Sequence, residues 1–60
     1  MIVYLLYEHY FDGAECWNNV VAVYGDETEA GLVAIDLNAK EGYADKYSER
    51  SYHVKAMDVQ

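Results

Sequence analysis

The first eleven residues, MIVYLLYEHYF, leave little choice of structure. They are rich in Val, Ile, Leu, Tyr and Phe and hold neither Gly nor Pro, a composition that favours a β-strand. Val3, Leu5, Tyr7, His9 and Phe11 share one parity; Ile2, Tyr4, Leu6, Glu8 and Tyr10 share the other. Both sets are apolar near the start, as in a central strand sheltered on both sides. Yet the chain has only 60 residues, enough for one domain, 1–60, that buries roughly 60% of its unfolded surface. Cys16 is the single cysteine, so no internal disulfide supplements the core, and one thiol suits a reducing compartment. Oligomerisation or a partner is the expected supplement.

Asp12, Gly13, Ala14 and Glu15 supply turn chemistry after the first strand. Cys16 to Tyr24, CWNNVVAVY, reads as a second strand, antiparallel to the first because the connection is too short for a crossover. Gly25 and Asp26 end it and open a helix that runs to about Lys40. Asp26 is a capping residue with Glu29 three positions on, the pattern of a capping box, and Glu27 and Glu29 suit the positive end of the helix dipole. Ala30, Val33, Ala34 and Leu37 keep helical spacing and are expected to face the sheet, with Leu32 and Ile35 at the margin. Gly31 weakens the helix by up to about 1 kcal/mol relative to Ala. Gly42 is a plausible left-handed stop. Residues 43–50 read as a loop, and Ser51 to Val59 as a last strand with Tyr52, Val54 and Ala56 inward. The expected fold is therefore α+β: a ββαβ chain with a three-stranded antiparallel sheet in the order 2-1-3 and one helix on one face.

One helix cannot cover both faces of such a sheet. With Val3, Leu5 and Tyr7 toward the helix, Ile2, Tyr4, Leu6 and Tyr10 face outward, joined by Val20, Ala22 and Tyr24. That is a contiguous aromatic and aliphatic patch, and such patches mark interfaces when they are not simply the shielding of a thin sheet. Trp17, beside Asn18 and Asn19, reads either as an anchor for a partner or as a core plug.

Charge adds a second surface. There are eleven acids and four bases, for a net of −7. Residues 1–39 hold seven acids (Glu8, Asp12, Glu15, Asp26, Glu27, Glu29 and Asp36) and no Lys or Arg. This distribution repels nucleic-acid phosphates and anionic lipid, so neither nucleic acid nor membrane is an expected partner; a protein with a basic surface is, unless the acids serve only solubility.

Catalysis and metal binding find little support. Glu8 and His9 are adjacent and point to opposite faces of a strand. Cys16, His9 and His53 have no short-range ligand spacing, and no nucleophile motif surrounds Cys16. The four glycines are scattered, so there is no phosphate loop. The expectation is a protein without enzymatic activity, metal or cofactor. Met1 to Tyr7 lacks a basic n-region and soon meets Glu8, which argues against a signal peptide, and no run reaches the roughly 18 apolar residues of a membrane span. A cytoplasmic location follows as an expectation.

Met1, Val3, Tyr4 and Tyr7 form an opening Met-x-Val-Tyr-x-x-Tyr strand; an acidic turn, a strand ending in Val23 and Tyr24 and an acid-capped helix at Asp26 to Ala30 follow. In this the chain resembles small proteins encoded by phages and prophages. The resemblance spans nearly the whole sequence but its motifs mostly restate the ββαβ pattern. It implies an accessory protein that binds and inhibits a host protein, in the manner of anti-CRISPR, anti-restriction or DNA-mimic proteins. Asp12, Glu15, Asp26, Glu27, Glu29 and Asp36 would then meet a basic nucleic-acid-binding groove, with Ile2, Tyr4, Leu6, Tyr10, Trp17 and Tyr24 as apolar contacts. The alternative is a structural or regulatory homodimer formed through the open sheet face.

Overall fold

The computed structural model describes residues 1–60. Its elements are β1 (Ile2–Phe11), β2 (Cys16–Tyr24), α1 (Glu27–Lys40), β3 (Tyr43–Ala44) and β4 (Glu49–Asp58). The strands form one antiparallel sheet in the order β2-β1-β4-β3. The fold is α+β with one helix. The expected order of the three long strands holds, but the sheet has four strands and not three, because a short strand lies in the segment read as a loop.

The β3 strand owes its existence to a turn. The Asp45 carboxylate accepts hydrogen bonds from the backbone N–H groups of Tyr47 and Ser48, both at 2.8 Å. Asp45 N–H closes the turn onto the Ser48 carbonyl at 2.8 Å. An aspartate that satisfies the donors ahead of it folds the chain back locally, which pairs Tyr43 with Arg50 and Ala44 with Glu49. Asp12 does the same between β1 and β2, taking the N–H groups of Ala14 and Glu15 at 3.0 and 2.6 Å. Gly13 sits there at φ +89°, the one left-handed position in the chain and one that a side chain would strain.

Helix α1 starts as expected, with Asp26 accepting from Thr28 N–H at 3.2 Å. The bond goes to the second helical residue, and no reciprocal bond from the Glu29 side chain forms, so the capping box is only half built. At the other end Gly42 does not adopt a left-handed conformation. Its role is spatial: a Cβ there would lie 2.6 Å from the Asn38 carbonyl oxygen. Ala30 and Ala34 are buried, and Val33 and Leu37 pack against the core, while Leu32 and Ile35 point to solvent. Small residues on the helix let it lie close to the sheet.

The core lies between helix and sheet and is small: Leu6, Ala34 and Tyr52, with Ala22, Tyr24, Val33, Leu37 and Val54 around them. This reverses the assignment of faces made from the sequence. Ile2, Tyr4, Leu6 and Tyr10, expected on the open side, lie on the helix side, and so do Tyr24 and Ala22. Register decides it. Leu6 pairs with Val54, Tyr4 with Ala56 and Glu8 with Tyr52, so the even residues of β1 share a face with the even residues of β4. Tyr52 and Val54 do face inward as expected, and they carry Leu6 with them. On the other side Leu6 pairs with Ala22 but Tyr7 with Val20, which leaves Val21 as an extra residue. This β-bulge shifts the parity of β2 and puts Val20 on the opposite face from Ala22.

Candidate functional site

The face that α1 leaves open is built from the odd residues of β1 and β4 and their partners on β2. Val3, Leu5, Tyr7, Val20, Val23 and Met57 give it an apolar surface, with Phe11 at one end. Val20, Val23 and Met57 are about half exposed, at 53%, 57% and 45%. Tyr7 stacks on His53 with ring centroids 5.4 Å apart. Polar groups on this face are tied to one another: His9 Nδ1 lies 2.9 Å from Asn18 Oδ1, and His53 Nε2 lies 2.9 Å from Ser51 Oγ. Leu5, Tyr7, Asn18, Val20 and Lys55 line a shallow depression of about 380 Å³ on it. Cys16 pairs with Phe11 at the margin as a free, exposed thiol. Glu49 and Lys55 are the only formally charged residues on the open face. They cancel, so the net charge of −7 lies wholly elsewhere.

The covered side carries the opposite chemistry. Beyond the C-terminal end of α1, the Tyr52 hydroxyl donates to Glu8 at 2.7 Å and lies 3.1 Å from Glu41. The bond to Glu8, together with burial and the nearby Glu41, holds the phenol protonated well above its ordinary range. Arg50 brings its Nε within 3.8 Å of Glu8. Its guanidinium lies 5.6 Å from the centre of the Tyr10 ring and 5.9 Å from that of Tyr43. That Nε is buried without a hydrogen-bond partner, so aromatic faces and the Glu8 charge are what accommodate the cation. Trp17 stacks on Tyr10 with centroids 5.0 Å apart and is 39% exposed. Trp17 is thus neither a core plug nor part of the open face; it extends this aromatic row at the edge of the helix side. Two carboxylates, a phenol and a guanidinium make a polar bolt between helix end and sheet. No three His, Cys, Asp or Glu side chains converge closely enough to hold a metal ion, and no helix is long and apolar enough to cross a membrane.

The acidic candidates do not gather into one patch. Asp12 and Glu15 sit in the turn at the far end of β1. Asp26, Glu27 and Glu29 sit at the start of α1, where Glu27 and Thr28 border a groove with Ile2, Tyr4, Val54 and Ala56. The length of β1, about 3.3 Å per residue, separates the two groups. Asp36 is bound to Lys40 at 3.0 Å. Asp12 is also occupied: the N–H groups of Glu15 and Ala14 hold its carboxyl below the usual aspartate range. The open-face residues missed from the sequence were Val3, Leu5, Tyr7, Val23 and Met57. Reading strand parity from Tyr52 and Val54 would have found Met57; those on β1 needed its register with β4. No protein-family model, curated protein or solved structure matches the chain.

Proposed function

We propose that this protein acts by binding rather than by catalysis, that the open sheet face is its binding surface, and that a second copy of the chain is the occupant. One observation carries this: an apolar sheet face left uncovered is also free of net charge in a chain of −7. Two such faces in contact place both acidic helix layers outward, so self-association keeps those acids apart. The size suits the role. The molecule extends 39 × 23 Å in its two long directions and only 12 Å in the third, which fits the roughly 800 Å² per partner of a standard interface. Packed sheets stand about 10 Å apart, and the side chains of Leu5, Tyr7 and Val20 fill such a gap.

Sedimentation equilibrium at low and high salt tests the reading. The expected result is a dimer that persists in high salt, and that Val20→Lys and Met57→Lys each convert to a monomer with an unchanged circular dichroism spectrum. A monomer at every accessible concentration removes the proposal.

A second reading keeps the acids as the contact surface, in the role that the resemblance to phage-encoded inhibitors implies. It is favoured by Asp26, Glu27 and Glu29, which cluster at one helix end with no cationic side chain paired to them. Here the partner is a basic host protein whose nucleic-acid-binding site becomes blocked. Association then falls steeply with salt, opposite to the behaviour of the apolar dimer.

A further inference from the structure

The two edges of the sheet are not alike. On the β4 side the edge is closed by several devices. Tyr43 and Ala44 pair with its first residues. The Asn38 side chain then takes both outward groups of Tyr52, accepting from its N–H at 2.8 Å and donating to its carbonyl at 2.9 Å. Lys55 and Asp58 follow along the same strand. Charge, a short covering strand and a side-chain plug are the means by which proteins prevent strand addition.

The edge at β2 has none of these three, and its one irregularity is the bulge at Val21. Its nine residues, CWNNVVAVY, contain no charge and no proline. Its backbone pairs only with β1, and none of the backbone hydrogen bonds of turns and loops reaches it. All but Ala22 and Tyr24 are exposed. A row of unpaired N–H and C=O groups over this length is a template for another strand. The ends of the strand say which kind. Asp12 and Glu15 precede it; Asp26, Glu27 and Glu29 follow it. The Glu15 and Glu29 carboxylates have no ion-pair partner.

We propose that the β2 edge takes an extended segment of another protein, neutral in its middle and bearing Lys or Arg at both ends, added as a further strand. A second copy of this chain does not fit this edge. Antiparallel self-pairing would set the acids of one turn against those of the other copy's helix start. It would also require two strands, each bent by a bulge at Val21, to match, whereas a free peptide adapts to one bend. The split acidic groups, which no single patch unites, thus become the two ends of one linear site. The inference does not depend on what covers the open face.

The test uses synthetic peptides with an alternating Val/Thr middle of the same length as β2, flanked by two Lys or by two Glu at each end. Readouts are Trp17 fluorescence, since Trp17 lies on β2, and amide hydrogen exchange. The Lys-flanked peptide is expected to bind saturably and protect the outward β2 amides, those not bonded to β1, at least about tenfold more tightly than the Glu-flanked one. Glu15→Gln with Glu29→Gln should narrow that preference, and Met57→Lys, on the open face, should leave it intact. Equal binding of both peptides, no binding of the Lys-flanked peptide, or protection confined to β4 would overturn the proposal. So would protection, in the concentrated protein alone, of the outward β2 amides that are not bonded to β1.

Discussion

Leu5 and Leu6 are neighbours in sequence and chemically identical, yet they belong to different regimes. Leu6 has no solvent exposure and sits among Ala34, Tyr52, Ala22 and Val54. Leu5 lies on the open face beside Val23 and Lys55 and keeps partial contact with water. The difference shows how little of a thin domain is interior: hydrophobicity selects a strand, but only the presence of a covering layer turns a hydrophobic side chain into core.

The sharpest way to break that contrast is to truncate both. Leu6→Ala removes a fully buried side chain from a core too small to collapse around the gap and is expected to cost about 2–5 kcal/mol, enough to leave a domain of this size largely unfolded. Leu5→Ala in dilute, monomeric protein is expected to cost less than about 1 kcal/mol. Urea denaturation at low protein concentration measures both, and equal losses would mean that the open face is already covered under those conditions.

A smaller effect separates the polar bolt of the covered side from the self-contained polar pairs of the open one. Tyr52→Phe keeps the ring but leaves Glu8 and Glu41 without their shared donor, with an expected loss of about 1–3 kcal/mol at neutral pH. The raised phenol also sets an alkaline limit. A group protonated more tightly in the folded state contributes fully below its unfolded value, about 10 for tyrosine, and that contribution disappears as pH rises through the folded value. Stability of the native protein should thus decline above about pH 10, and the Phe variant should lose the share of that decline due to Tyr52. Denaturation series across alkaline pH compare the two proteins.

The smallest expected effect is a gain. A Cβ at Gly31 meets nothing within 4 Å, so Gly31→Ala should raise stability by about 0.5–1 kcal/mol through helix propensity alone. Thermal denaturation reads this; a loss would indicate that the groove between α1 and Ile2 is closed more tightly in solution.

Several features were legible from local chemistry. The carboxylate of Asp26 follows a strand and precedes a helical stripe, and it caps. Ala30, Val33, Ala34 and Leu37 recur with helical period, and they face the sheet. The turn at Asp45 could also have been read, since an Asp that takes the N–H groups two and three residues on is the same chemistry as at Asp12, but two residues of strand carry too little pattern to stand out. The bulge at Val21 and the Asn38 plug had no local signal, because each exists only once two distant segments have met.

From its sequence alone the chain was bound to form two strands, a capped helix and a closing strand, because alternation, helical spacing and turn residues act over a few positions. Which side of β1 became core was decided by the tertiary structure. When both parities of a strand are apolar, the period-two pattern defines two faces without ranking them. The ranking came from the register that ties Leu6 to Val54 and Glu8 to Tyr52, from the extra residue at Val21, and from the small side chains of Ala30 and Ala34 that let the helix settle over Leu6.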